Sequence, residues 1–508
     1  MGKFKIALLA GIIILGFITR LYRFDNPIAD WHSWRQADTS AVSRNFVTSG
    51  FDILHPRFDD LSNVPTSGKY ENPNGYRFVE FPIYNVFQAG LYKIFDYFTL
   101  EEWGRLVTIF SSLLTVLLIF LILKKHQSEK AGLIGAFLFA VLPFSIYFGR
   151  TILPDPSTST AILAGIYFFD LWIDENSKLK TSTYTKVSAD KQNSKLQFKS
   201  KNYLFFSLSI LFTAVAVLLK PFALFFTLPM IFLAYQRFGK KMFFNPYLWI
   251  FGVFSLLPFI GWRVWMSQFP QGIPVSDWLF NRGNIRFKGA FFNWIFAERI
   301  GKLILGYWGS SLLILGLISK TKTNYLFFYS FLASSILYLI IIARGNVQHD
   351  YYQILILPTI CILGGLGGEF LLNTGKNLSN KFIAPVILII ILGFTFMFSW
   401  YHVRDYFNIN NPSIIVAGAA VDRLTPKDAL VIANYNGDTS FLYQTKRKGW
   451  ASYEKDLPVM INELGADYLV IANPTPSDAN FEKDYQILEK TPQYVIFDLH
   501  PVRSRDRM

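Results

Sequence analysis

Ile6-Ala7-Leu8-Leu9-Ala10-Gly11-Ile12-Ile13-Ile14-Leu15-Gly16-Phe17-Ile18-Thr19-Arg20-Leu21 is an apolar run interrupted only by Thr19-Arg20 near its end. A polar cluster, His32-Ser33-Trp34-Arg35-Gln36-Ala37-Asp38-Thr39, lies ten residues beyond it. Runs of about 20 apolar residues, the length that crosses a hydrocarbon core of about 30 Å, recur along the chain. They do not alternate with the period of two that a membrane barrel requires. Hydrophobic residues make up 52% of the 508 and charged residues only 17%, where a soluble chain carries about 25%. The fold class is therefore an α-helical multi-pass membrane protein. The basic start Met1-Gly2-Lys3-Phe4-Lys5 resembles a signal peptide, but no small-residue cleavage site follows the run, so it reads as a retained first helix.

Eleven spans are expected, near 6–22, 104–123, 131–148, 156–173, 202–219, 222–236, 245–264, 300–319, 324–343, 352–372 and 382–402. Residues 1–402 thus form a membrane module with a long polar segment at 23–103, and 403–508 form a soluble tail. Five alternate loops are rich in Lys and Arg, among them 174–201 with seven lysines from Lys178 to Lys201, whereas 23–103 is rich in Asp and Glu. The positive-inside rule then places the N-terminus in the cytoplasm and the tail outside. It also explains the net charge of +14 without nucleic acid. The 174–201 loop reads as a solvated linker. The single cysteine, Cys361, lies in an apolar run and excludes a disulfide framework.

Within 23–103, Asp38 to Phe46 reads as a short helix, and the run from Phe78 towards Tyr97 as an amphipathic interfacial segment. In the tail, helices at 412–424 and 457–464 alternate with short β runs at 429–433, 466–472, 485–488 and 494–499. That pattern predicts a small α/β domain with part of its sheet parallel.

Ionisable groups collect at the outer edge of the spans, where they are costly and so point to function. Asp38, flanked by His32, Arg35 and Gln36, suits a general base, or it N-caps the helix after it. Arg150 and Asp155 share one short turn. Arg150 suits a phosphate or a carboxylate partner, and Asp155 with Pro156 also suits a helix start. Lys220-Pro221 adds a cation at the next outer turn, where a snorkelling Lys is the plain alternative. Arg344, His349, Asp350, Tyr351 and Tyr352 crowd the mouth of the 352–372 span and suit a phosphate; an aromatic belt explains the tyrosines but not Arg344 or His349. A divalent metal on Asp38, Glu80 and His349 is allowed by residue type but not supported by spacing.

These pieces occur in a recognisable order: Trp34-Arg35-Gln36-Ala37-Asp38-Thr39 with Arg44-Asn45, Glu80-Phe81-Pro82-Ile83-Tyr84, Gly104-Arg105-Leu106, Leu153-Pro154-Asp155-Pro156, Leu219-Lys220-Pro221 and His349-Asp350-Tyr351-Tyr352. In that order, from about residue 6 to 360, the chain resembles bacterial members of the dolichyl-phosphate-mannose-protein mannosyltransferase superfamily, glycosyltransferase family 39, with the aminoarabinose lipid A transferases as relatives. The resemblance implies a GT-C fold in the bacterial inner membrane, a polyprenyl-phosphate sugar as donor, and a protein, lipid or envelope glycan as acceptor. It implies catalytic roles for Asp38 and Asp155. The chain departs from the eukaryotic members, which carry an Asp-Glu pair where Ala37-Asp38 stands and have lumenal β-trefoil insertions. On this reading Arg150, Lys220, Arg344, His349 and Tyr351 face the donor phosphate, and His32, Arg35, Gln36 and Glu80 support the acceptor side. A transporter or flippase of lipid-linked glycans is the alternative. No internal repeat favours it, and the ionisable residues gather at one face rather than at mid-span.

Overall fold

The structure is a computed structural model that describes residues 2–63, 71–182, 190–322, 324–375 and 382–500. The first helix, α1 (Lys3–Arg20), is followed by three elements of the long polar segment and its exit: α2 (Ser33–Ser49), α3 (Ile83–Ile94) and α4 (Leu100–His126). Then come α5 (Glu129–Val141), α6 (Pro143–Phe148), α7 (Asp155–Ser182), α8 (Asp190–Leu219), α9 (Leu228–Phe238) and α10 (Pro246–Met266). After α11 (Gly289–Phe292) and a π-helical stretch at Asn293–Ile304 the chain continues through α12 (Gly309–Ile318), α13 (Leu326–Ile341), α14 (Ala343–Gln348), α15 (Leu357–Thr374) and α16 (Ile383–Val403).

All eleven expected spans are helical, but several are broken. Among the described residues six helices are long and apolar enough to cross a membrane, or seven if one bent pair is a single span. The others are shorter, interrupted or more polar. Pro143 divides the 131–148 run, because a proline cannot continue the ladder of α5 and is well placed to begin α6. The 300–319 run bends by 114°. The bend follows two left-handed residues, Gly306 (φ 48°) and Tyr307 (φ 61°), and a Cβ on Gly306 would stand 2.3 Å from the Thr395 carbonyl oxygen of α16. α12 and α15 cross with backbones almost touching: a Cβ on Gly367 would lie 1.9 Å from the Leu312 carbonyl oxygen. Small residues at such crossings permit the close packing that holds membrane helices together. α15 is central, with 72% of its apolar window buried, whereas α10 has 11% buried and turns Trp249, Phe254 and Val264 outward.

Three local expectations are corrected. The helix that carries Asp38 begins at Ser33, not at Asp38, because His32 takes a left-handed conformation (φ 55°) and turns the chain into α2 five residues earlier. The amphipathic run closes at Ile94 as α3, and Phe95 is extended. The Lys-rich linker is helical at both ends, since α7 runs on to Ser182 and α8 starts at Asp190. Adding a residue to an existing helix avoids the cost of nucleation. The middle of that linker, 183–189, lies outside the described residues, as does the 376–381 loop.

The tail contains α17 (Pro412–Leu424), β1 (Leu430–Ala433), α18 (Ser440–Thr445), β2 (Lys448–Trp450), α19 (Leu457–Asn462), β3 (Tyr468–Ala472), β4 (Gln486–Lys490) and β5 (Tyr494–Asp498). The sheet order is β2-β1-β3-β5-β4. β1 pairs in parallel with both β2 and β3, and β5 runs antiparallel between β3 and β4. Both faces are covered. Val431, Val470 and Ile496 pack towards α17, and Ile432, Leu469 and Phe497 towards Met460 of α19. Strands buried on two sides read as continuous apolar runs, which is why β1, β3 and β5 are visible in the sequence and the three-residue β2 is not.

The sheet is tied to the membrane module at its β2 edge. The Gly449 amide donates to the Asp59 carbonyl oxygen (3.0 Å) and the Leu61 amide to the Gly449 carbonyl oxygen (2.7 Å). Residues 59–61 therefore cover an edge that would otherwise stay open.

Candidate active site

α2 has almost no amphipathic character, and twelve of its residues are buried. A polar helix buried on all sides is tolerable only if its side chains find partners. They do. Ser43 donates to Gln88 (2.7 Å), Asn85 donates to the Thr39 carbonyl oxygen (2.6 Å), and Asn45 donates to Asp59 (3.1 Å). Arg44 pairs with Asp59 and lies 3.9 Å over the Tyr443 ring. The helix is thus fixed on one side by α3 and on the other by the C-terminal domain.

The face of α2 that carries Arg35, Asp38 and Thr39 opens on a narrow cleft with Arg77, Glu80 and Pro154 among its walls. Asp38 is 3% exposed and stands in the middle of α2, so it is not the helix cap. Its Oδ2 accepts from Arg77 at 2.5 Å and its Oδ1 from the Thr439 hydroxyl at 2.7 Å. Each carboxylate oxygen has two lone pairs, so these bonds orient the group and leave it able to accept another proton donor. Arg35, expected beside Asp38, instead bonds Thr39 (3.2 Å) and pairs with Glu80.

Glu80 joins the cleft to the third-span turn. Lys220 lies 3.2 Å from Glu80 and 3.4 Å from Asp155. Burial raises the Glu80 carboxyl, but Arg35 and Lys220 outweigh it and hold the group below the usual carboxylate range. Asp155 begins α7, and its Oδ2 is buried without a partner. Lys220 does not snorkel away. It is 6% exposed and its ammonium faces the Tyr352 ring at 5.9 Å.

From Tyr352 an aromatic wall leads back to α2. Tyr352 and Tyr351 are 4.7 Å apart, and His32 meets Tyr351 at 5.1 Å. His349 lies 5.5 Å from Tyr351 and 5.7 Å from His32. Burial, with His32 beside it, pushes His349 down to about 4. At neutral pH His349 therefore offers a neutral donor, not the cation its place in the sequence implied. His32 bonds Asp350 at 2.6 Å, and Trp31 and Tyr406 donate to the same carboxylate at 3.0 and 2.6 Å. Burial raises the Asp350 carboxyl, but His32, Arg299 and Tyr406 more than offset this and leave it low. The Arg344 side chain has no hydrogen-bond or ion-pair partner among the described residues.

Two expected site residues are used elsewhere. Arg150 is 1% exposed and takes the carboxylate option: it bonds Asp30 (3.1 Å) and the Arg23 carbonyl oxygen (3.1 Å), with Phe407 under its guanidinium at 4.8 Å. Gln36 donates to Asp30 (2.7 Å) and accepts from the Ile152 amide (3.1 Å). Both pin the 149–155 turn to α2 rather than face the cleft. Asp38, Glu80 and His349 do not gather as metal ligands. The two carboxylates are already neutralised by Arg77, Arg35 and Lys220, and no group of three or more His, Cys, Asp or Glu among the described residues could hold an ion. Arg77, Thr439 and Asp30 escape sequence reading. Arg77 follows a Pro/Asn/Gly-rich stretch without periodicity, and Thr439 is 401 residues from its partner.

The family model for dolichyl-phosphate-mannose-protein mannosyltransferases matches residues 80–185, a span that includes Glu80, Arg150 and Asp155. No curated protein matches the sequence. The structure is similar to that of ArnT from Cupriavidus metallidurans bound to undecaprenyl phosphate, with a TM-score of 0.64 over 97% of each chain at 11% identity. It is similar too to the Archaeoglobus fulgidus oligosaccharyltransferase AglB in complex with an inhibitory peptide and a dolichol-phosphate. There the TM-score is 0.55 at 10% identity, covering 97% of this chain and 74% of that one. The chain has the GT-C fold of these membrane glycosyltransferases, with a small soluble sheet domain at its C-terminal end.

Proposed function

We propose that this chain is an inverting glycosyltransferase of the bacterial plasma membrane that takes a sugar from a polyprenyl-phosphate donor and passes it to an acceptor at the outer face. The observation that carries the reading is the convergence of Asp38, Arg35 and Glu80 on one cleft, with Lys220 and Asp155 joined to it through Glu80. The loop charges favour a cytoplasmic N-terminus and an outer C-terminal domain.

Asp38 accepts the proton of the acceptor hydroxyl or amine as that atom bonds to the anomeric carbon. The bond from the anomeric carbon to the phosphate oxygen breaks, its electron pair stays on the phosphate, and polyprenyl phosphate leaves with its negative charge. A single displacement inverts the anomeric configuration. Preorganised cations stabilise charge that grows on the departing phosphate. Lys220 and the unpaired Arg344 supply that charge, and Tyr351 and the neutral His349 supply hydrogen-bond donors. Asp155 holds Lys220 in register. His32, Arg35 and Glu80 shape the acceptor side.

The test is transfer by purified protein from a panel of synthetic polyprenyl-phosphate sugars to an acceptor-containing membrane extract. Wild type transfers one of them, and Asp38→Asn loses at least about 1,000-fold, in keeping with the loss of a positioned base. Movement of the lipid across vesicles without transfer contradicts the proposal and favours a flippase.

A further inference from the structure

We infer that the C-terminal domain supplies a working part of the active site: Thr439 positions the Asp38 carboxylate for catalysis. This rests on the role of Asp38 proposed above. Thr439 precedes α18, the element of the soluble domain that lies against α2. Its hydroxyl is 2.7 Å from Asp38 Oδ1 and 3.1 Å from the Trp34 carbonyl oxygen one turn earlier on α2. Arg77 holds the other oxygen, Oδ2. The carboxylate is therefore fixed from two sides by groups from different parts of the chain. The cleft provides a third approach, for the acceptor.

Placement of α18 is firm. Tyr443 donates to Glu101 at the start of α4, Arg44 donates to the Tyr443 carbonyl oxygen (3.0 Å), and Gln444 donates to the Ile28 carbonyl oxygen (2.9 Å). With the 59–61 edge pairing, these contacts clamp the loop that carries Thr439 onto α2. A domain that served only as a covering would not need a hydroxyl on the one carboxylate that faces the cleft from the middle of α2. A catalytic group misplaced by a fraction of an ångström loses rate without losing its chemistry, so a second-point hold has value that packing alone does not explain.

The experiment uses full-length protein in cells lacking the chromosomal copy. The readout is the envelope glycan or lipid species that disappears on deletion, measured by mass spectrometry and normalised to protein level. Binding of undecaprenyl phosphate by each purified variant is measured alongside as the check on the fold. Thr439→Val keeps the shape and removes the hydroxyl, and the expected result is a drop of about 10-fold in product with lipid binding unchanged, as for loss of a hydrogen bond to a charged group. Thr439→Ser restores product to within about twofold, because the donor is back. On an Asp38→Glu background, whose longer arm takes the carboxylate off Thr439, Thr439→Val adds no further loss, the non-additivity expected of residues acting together. Wild-type product from Thr439→Val, with Asp38→Asn inactive, overturns the positioning role alone. Parallel loss of product and lipid binding in Thr439→Val, unrelieved by Thr439→Ser, also overturns it and makes Thr439 structural. Full product from Asp38→Asn removes the underlying reading instead.

Discussion

Two buried charge clusters lie at the same edge of the membrane module, and they are built to different ends. In one, Asp30 receives Arg150 at 3.1 Å and Gln36 at 2.7 Å, Arg150 is packed on Phe407, and no residue of the group lines the cleft. In the other, Arg35, Glu80, Lys220 and Asp155 share charge through Glu80 and Lys220. There Asp155 keeps an unpartnered oxygen, and Arg35 and Glu80 wall an open space beside Asp38. Both clusters read alike in sequence, as Arg or Lys near Asp after an apolar run. What separates them is whether the paired charges are sealed away from the cleft or border it.

The largest effect should come from breaking the closed cluster. Arg150→Ala leaves Asp30 buried and uncompensated and should cost about 3–5 kcal/mol of stability. The expected outcome is a lower unfolding temperature in detergent, most of it recovered when Asp30→Asn is added. The same kind of change in the open cluster should cost rate as well as stability. Lys220→Ala leaves Asp155 buried and uncompensated, so it too should lower the unfolding temperature. In addition it should lower transfer about 100-fold, within the range for loss of one preorganised charge at a developing anion. Adding Asp155→Asn should recover stability but not transfer. Transfer restored by adding Asp155→Asn to Lys220→Ala would erase the distinction.

Smaller effects come from pH. Burial pushes Asp60, beside the β2 edge, up to about 6. The folded state therefore holds a proton that the unfolded state has lost, and stability falls as pH rises from about 4 to about 6. Asp60→Asn should remove that fall and gain about 3 kcal/mol at pH 7. His349 has the opposite sign. Its folded value of about 4 lies below the ordinary 6.5, so its contribution is lost as pH falls through that window. His349→Gln should flatten the acid side of the unfolding profile, again by about 3 kcal/mol, and lower transfer only a few-fold. Unfolding temperatures recorded from pH 4 to pH 8 check both.

The legible part of this molecule is the part governed by one-dimensional patterns. Apolar runs mark eleven regions that are helical, though among the described residues only six or seven are long and apolar enough to cross a membrane, and apolar strands flanked by helices mark a partly parallel sheet. Pro143 and Gly306 could be read as breaks only with their neighbours in view, because a break depends on what packs against it. In the site, Asp38, Glu80, Asp155 and Lys220 stood out as charges beside apolar spans, and they do converge. Arg150 and Gln36 stood out for the same reason and are spent on Asp30. Arg77 and Thr439, which hold Asp38, carried no signal, since neither lies in a periodic element and Thr439 belongs to a separate domain. A carboxylate at a membrane edge is visible in sequence; the partners that tune it are set by the tertiary fold.

The most direct test of the central claim is the cleft carboxylate itself. Asp38→Asn changes one oxygen to an amide and keeps the size of the side chain. In cells lacking the chromosomal copy, the account predicts that this variant is made at wild-type level, binds undecaprenyl phosphate as wild type does, and leaves the glycan or lipid product absent from the envelope mass spectrum. Product at the wild-type level from Asp38→Asn would contradict it.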